Sequence, residues 1–261
     1  MAFIIPKGWE ELTAEQLRYV IRLLWLYNGH ADWQQRVQTA SFLHFCNIEV
    51  VSHTDQGWLC RERRHGATFL LDPELLPSIM QHVEWMTETE KINVRIEQVG
   101  EYKAVDFELR TLKFGNYLKA ENSFQSYLAG KDTVSLIWLA RQLYKVPDKE
   151  DGSDEEIELY DKGIAAQFAD EILMGAFLWF NAAKQLLGEQ FPNFLKPASG
   201  KQEDITQESL IESMRAQIRL LTKGDVTKQK YILEKTDTWT ALAELDALAK
   251  EAEEIKRKYG K

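Results

Sequence analysis

The most regular feature of the sequence is an apolar stripe near its end. Apolar residues recur there at spacings of three and four positions, namely Leu242, Leu245, Ala249, Ala252, Ile255 and Tyr259. This spacing places them on one side of an α-helix, opposite a side rich in Glu and Lys. Such a stripe has to be covered, and it is too short to predict a free-standing coiled coil. We expect the cover to be other helices of the same chain or a partner chain.

The composition is that of a folded protein that needs no covalent or metal support. Of the 261 residues, 44% are apolar and 11% aromatic, which is enough for a core without disulfides or a structural metal. The net charge of −9 argues against general coating of DNA, because that affinity comes from Lys and Arg neutralising phosphates.

Cysteine use and hydropathy favour a cytoplasmic protein with no membrane segment. Cys46 and Cys60 are the only cysteines, which fits a reducing compartment. The first residues, MAFIIPKGWEEL, lack the basic start and long apolar core of a signal peptide. The most apolar run, Ile172–Phe180, has about half the length needed to span a bilayer, and so predicts a buried helix.

Two helices are predicted at the N-terminus. Thr13 and Gln16 form a capping box, and the residues after them repeat at helical spacing. A second helix is expected to begin after Asp32 as its N-cap.

From about residue 48 to 112 the pattern favours strands, because β-branched and aromatic residues occur in short runs between turn residues. Trp58–Arg64 and Ala67–Leu71 are predicted to form a hairpin around Gly66, which supplies a positive φ. Ile92–Val99 and Val105–Leu112 alternate like two further strands. The sequence therefore predicts a small antiparallel sheet, carrying one short helix and inserted after the two N-terminal helices.

The C-terminal half is predicted to be helical, so the fold class is α+β and mainly α-helical. The expected helices lie near 117–128, 133–144, up to about 187, 206–221, 225–233 and 237–258. The stretch DKEDGSDEE at 148–156 predicts a solvated acidic loop. It would separate residues 1–147 from the helical region 157–261, and the two parts form either one continuous domain or two.

Metal-capable side chains are concentrated in His44, Cys46, Cys60 and His65. Zinc favours such ligands, but no pair has the spacing that fixes two ligands on one local scaffold. A metal site or a Cys–His nucleophile would require the fold to assemble distant residues, and the alternative is a set of structural side chains.

No catalytic residue or cofactor is predicted. The sequence lacks a P-loop and the G-x-G-x-x-G, G-x-S-x-G and H-E-x-x-H motifs. The tract Arg61–His65, at the tip of the predicted hairpin, could contact phosphate. It could equally be a charged turn that keeps a strand edge from aggregating.

Four stretches carry a family resemblance: IPKGWEELTAEQLRYVIRLL at 5–24, YLKAENSFQSYL at 117–128, FLWFNAAKQLLGEQFPNFL at 177–195, and LTKGDVTKQKYILEKTDTWTALAELDALAKEAEE at 221–254. They resemble an uncharacterised family of proteins found in Bacteroidetes genomes and their prophage-like elements. The resemblance implies a cytoplasmic, non-enzymatic protein connected with phage tail assembly and acting on phage components. It offers no catalytic residues to carry over to this sequence.

The leading hypothesis is thus an interaction protein of phage or prophage origin, similar to a tail-assembly chaperone, which binds phage components or itself. One alternative is an enzyme or metal-binding protein whose site is assembled from distant residues. Another is nucleic-acid contact through Arg61–His65.

Overall fold

The computed structural model describes residues 5–146, 162–195 and 206–259. Its helices and two small antiparallel sheets confirm a mainly helical α+β fold. The predicted acidic loop at 148–156 lies outside the described residues.

The chain forms two compact units. The N-terminal unit contains Met1–Ile96 and Asp170–Gly175, and the C-terminal unit contains Glu97–Ala169 and Ala176–Lys261. The first division between the units therefore follows Ile96, well before the predicted acidic loop.

Helices α1 (Ala14–Leu26) and α2 (Trp33–Phe45) begin at the predicted positions, directly after Thr13 and Asp32. The N-terminal unit also contains α3 (Leu76–Gln81). The capping box is confirmed, since the Gln16 amide donates to Thr13 Oγ1 and the Thr13 amide donates to the Gln16 side chain. Asp32 occupies the N-cap of α2 but makes no capping bond, because its carboxylate accepts from Arg36 Nε at 2.8 Å instead.

The first sheet confirms the predicted hairpin. Its strands are β1 (Ile48–Thr54), β2 (Gly57–Glu62) and β3 (Thr68–Leu71), paired antiparallel in that order. Trp58 lies opposite Leu71, and Arg61 lies opposite Thr68. Gly66 has φ +72°, a conformation that glycine adopts without a steric penalty.

The prediction of strands over Ile92–Val99 and Val105–Leu112 is largely wrong. The second sheet consists of the short strands β4 (Gln98–Val99), β5 (Tyr102–Ala104) and β6 (Tyr144–Lys145). It is separate from the first sheet, and β6 lies beyond the predicted β region. The alternation arose because side chains such as Ile92, Ile96, Leu109 and Leu112 are buried from segments that form no regular ladder.

The predicted helices of the C-terminal half are confirmed, except that the helix expected to end near residue 187 is divided at residues 168–169. The described ones are α4 (Phe114–Gly130), α5 (Thr133–Leu143), α6 (162–167), α7 (Asp170–Gln190), α8 (Gln207–Thr222), α9 (Gln229–Glu234) and α10 (Thr238–Tyr259). Helix α4 contacts α5 and α9. Gly115 permits the approach to α9, because a Cβ at that position would lie 2.7 Å from the carbonyl oxygen of Leu233.

Aromatic side chains fill the core of the C-terminal unit. Phe124 on α4 stacks on Phe177 of α7 with ring centroids 4.9 Å apart. Trp179 is fully buried, and its Nε1 donates to the carbonyl of Phe107 at 3.0 Å. Burying these rings stabilises the packing of α7 on α4, since aromatic side chains bury large apolar surfaces.

The start of α10 is fixed by a short antiparallel contact with the segment before α4. The amide of Phe114 donates to the carbonyl of Thr236, and the amide of Thr238 donates to the carbonyl of Leu112, each at 2.9 Å. The buried hydroxyl of Thr238 donates to the same Leu112 carbonyl at 2.8 Å. Beside this contact, Trp239 Nε1 donates to the carbonyl of Glu108 at 2.7 Å.

We expect Thr238→Val to lower the free energy of unfolding by about 1 kcal/mol, because it removes a buried hydrogen bond while keeping the shape of the side chain. The control is Thr240→Val on the same helix, where the lost hydroxyl is exposed and bonds Asp237. Its effect should stay below about 0.5 kcal/mol. Chemical denaturation of both variants measures the difference, and equal losses would mean that the Thr238 hydroxyl has no special role.

Candidate protein-interaction surface

The predicted stripe is covered only over the first half of α10. Leu242 and Leu245 are at most 1% exposed, as is Ala241 beside them. This part of α10 belongs to the C-terminal unit, where α10 contacts α8 and α4. These two stripe residues therefore lie in the core of their own chain.

The second half of the stripe is exposed. Ala249 is half-buried, and every residue from Glu251 to Tyr259 is exposed. We call these nine residues the distal segment. Within it Ile255 is 60% exposed and Tyr259 is 72% exposed, although both continue the line that begins at Leu242. The sequence shows which side of the helix is apolar, but only the structure shows where its cover ends.

Asp246 attaches α10 to the loop after α7, just before the distal segment. Its carboxylate accepts from the Asn193 amide and side chain, each at 2.7 Å, and from the Phe194 amide at 3.0 Å. Desolvation would raise the pKa of Asp246, but these hydrogen bonds lower it below its ordinary value. A residue without an apolar or catalytic signature thus anchors the helix, and sequence reasoning missed it.

The distal segment has its cations at its C-terminal end. Lys256, Arg257 and Lys258 occupy the last turn of α10, where positive charge is favoured by the helix dipole. The segment is also rich in Glu and Lys, which have high intrinsic helix propensity. These features stabilise a helix that its own unit does not cover.

The four predicted metal-ligand candidates lie in the N-terminal unit but form no metal site. His44 stacks on Tyr19 with ring centroids 3.8 Å apart. Cys46 and Cys60 are buried and free, and His65 Nδ1 bonds Glu62 at 2.7 Å. Across the described ranges, no group of three His, Cys, Asp or Glu side chains is placed to hold a metal ion.

Burial also makes the two thiols poor nucleophiles. It raises the pKa of Cys46 to about 12 and raises that of Cys60. Desolvation lowers the pKa of His44, which disfavours the imidazolium that would stabilise a thiolate. The thiolate is the form of cysteine that reacts and binds metals. Because both thiols favour the neutral form, Cys46 and Cys60 are packed core residues, and His44 is a half-buried structural side chain.

At mildly alkaline pH we expect iodoacetamide to alkylate native Cys46 at least about a hundredfold more slowly than Cys46 of the unfolded chain, and native Cys60 also more slowly than in the unfolded chain. A raised pKa lowers the thiolate fraction at that pH, and unfolding restores it. Mass spectrometry of Cys46 and Cys60 peptides measures both rates. Fast native labelling of Cys46 would contradict a buried neutral thiol.

The basic tract lies at the hairpin tip, as predicted, and one acidic residue within it points inward. Arg61, Arg63, Arg64 and His65 are exposed, whereas Glu62 is 6% exposed. The Glu62 carboxylate accepts from the amides of Arg64 and His65 at 2.8 Å each. Although desolvation opposes it, these bonds and the His65 ring hold the pKa of Glu62 below its ordinary value. The tip therefore displays cations around a buried carboxylate.

Comparison with other proteins adds no relative. The chain matches no protein-family model, no curated protein and no solved structure. In the part of the chain that the structure describes, no helix is both long enough and apolar enough to cross a membrane. Among the features described above, the distal segment leaves exposed an apolar stripe whose first half is buried.

Proposed function

We propose that this protein is a non-enzymatic interaction protein that binds another protein chain through the distal segment of α10. The observation that carries the proposal is the exposure of Ile255 and Tyr259 on a stripe that starts in the core. A stripe of this kind is unfavourable in water, and covering it with a partner removes apolar surface from solvent.

The spacing of the exposed residues fits a helix that is recognised by a groove or by another helix. Ala252, Ile255 and Tyr259 stand at positions i, i+3 and i+7, the arrangement by which amphipathic helices present anchors. Complete burial of a large apolar side chain contributes roughly 1.5 to 3 kcal/mol. Tyr is also enriched among residues that dominate binding energy at interfaces.

The cellular role that we propose is phage assembly in the cytoplasm, in the manner of a tail-assembly chaperone. The support is the resemblance of the stretches 5–24, 117–128, 177–195 and 221–254 to a prophage-associated family. The acidic net charge and aromatic content are compatible with a protein whose ligands are proteins. The neutral, buried thiols disfavour the enzyme alternative built on Cys46 and Cys60.

We expect Ile255→Gln/Tyr259→Gln to abolish binding while preserving the fold. Glutamine keeps helix propensity and adds no charge, and both positions are exposed. Affinity purification from cells with an induced prophage should recover phage structural proteins with the wild-type chain and lose them with this variant.

The matched control is Lys250→Gln/Arg257→Gln, which changes two exposed residues on the opposite side of the same helix. It should recover the same proteins as the wild type, and circular dichroism should show unchanged helix content in both variants. If the two variants lose the phage proteins equally, or if the wild type recovers none, the proposed role in phage assembly is wrong.

A second candidate function is nucleic-acid contact at the hairpin tip. The inward orientation of Glu62 favours it, because it leaves Arg63 and Arg64 as the charges that the turn displays. Arg side chains supply both charge for phosphate and planar surface for bases.

For this candidate we expect the wild type to bind a single-stranded oligonucleotide at low salt, and Arg63→Gln/Arg64→Gln to bind less tightly. The slope of log affinity against log salt should decrease by roughly 0.7 for each phosphate contact removed. Fluorescence anisotropy measures both quantities. The control Lys250→Gln/Arg257→Gln removes the same amount of charge elsewhere and should keep the affinity and salt dependence of the wild type. If all three proteins bind the oligonucleotide equally, the hairpin tip is not a nucleic-acid site.

A further inference from the structure

The distal segment carries its charges in two blocks along the helix axis. Glu251 to Glu254 contains three carboxylates, and Lys256 to Lys258 consists of three cations. All of these residues are exposed. A helix lying alongside the segment with complementary charge must have its blocks in the opposite order. The same sequence running antiparallel has that order.

The flanks of the apolar stripe show the same complementarity at the level of single residues. At 3.6 residues per turn, Glu251 and Lys258 fall on one flank of the stripe, with Ile255 between them along the helix. In an antiparallel pair centred on this region, Glu251 of each copy faces Lys258 of the other. The arrangement is isologous, so one contact is made twice about a two-fold axis.

A parallel pair is less favourable for two reasons. It would set carboxylate block beside carboxylate block and cation block beside cation block, and it would align the helix dipoles. It would also bring a second copy alongside Leu242 and Leu245, which the C-terminal unit already buries. The antiparallel pair uses residues from Lys250 onward, clear of Leu242 and Leu245, and directs the two C-terminal units to opposite ends of the contact.

We propose that the distal segment binds a second copy of this chain, as an antiparallel helix pair with Ile255 and Tyr259 in the seam and Glu251–Lys258 ion pairs at its edge. This inference rests on the proposed function and names its partner. Nine helical residues extend about 13 Å, so the seam is smaller than a standard interface. We therefore expect a reversible dimer that forms with increasing concentration.

The experiment is sedimentation velocity of the full chain over a wide range of micromolar concentrations. The wild type should show a monomer–dimer equilibrium that Ile255→Gln/Tyr259→Gln abolishes. Glu251→Lys and Lys258→Glu should each raise the dissociation constant by roughly tenfold, because each turns two attractive contacts into repulsive ones. The double variant Glu251→Lys/Lys258→Glu restores both ion pairs with their charges exchanged. Its dissociation constant should return to within about twofold of the wild-type value.

The matched control is Arg257→Glu on the opposite side of the helix, which should leave the dimer unchanged. A wild type that remains monomeric overturns the proposal, and so does a double variant no tighter than the single ones. A dimer whose dissociation constant does not change with Lys258→Glu also overturns the antiparallel arrangement.

Failure here is distinguishable from failure of the proposed function. If the purified chain is monomeric but Ile255→Gln/Tyr259→Gln still loses phage proteins, the distal segment binds a different chain. In that case only the proposal of self-association is refuted. If the chain dimerises as expected but recovers no phage proteins, self-association is supported and the proposed role in phage assembly is refuted.

Discussion

The position of the distal segment depends on the contact between Thr238 and Leu112. The Thr238 amide and hydroxyl both donate to the Leu112 carbonyl, and these residues are far apart in sequence. The contact fixes where α10 begins on the C-terminal unit. Asp246 then holds the helix against the backbone of Asn193 and Phe194. With two anchors along its first half, α10 carries its exposed end in a defined direction from that unit.

The loop that supplies Leu112 is itself under conformational strain. Leu109 has φ +61° and is fully buried, and a leucine in this left-handed region costs roughly 1 to 2 kcal/mol. The Asp106 carboxylate offsets the strain by accepting from the Arg110 amide at 2.8 Å and from the Thr111 amide at 2.7 Å. The Arg110 guanidinium lies 3.6 Å from the centre of the Trp239 ring. Loop and helix start therefore stabilise each other.

Sequence reasoning succeeded where the signal is local. The Thr13 capping box, the hairpin around Gly66 and the limits of α10 each depend on residues a few positions apart. It failed over Ile92–Val99 and Val105–Leu112, because alternation records which side chains are buried and not whether a neighbouring strand exists. Likewise, the stripe could be located from its period, but its division after Ala249 depends on packing against distant helices. The role of Asp246 follows from a partner more than fifty positions away, which no local pattern encodes.

The distal segment must remain helical while its apolar side chains stay exposed for a partner. These two requirements usually conflict, because a helix that does not pack its apolar side is marginal in water. The first half of α10 provides a packed helix on which the segment continues, so no new nucleus is needed. Its Ala, Glu and Lys residues and its terminal cations favour the helix before any partner arrives. Binding then does not have to order the backbone, which lessens the entropic cost of association. Two exposed anchors can thus suffice for a weak, reversible contact, whereas a flexible tail with the same residues would need a larger surface.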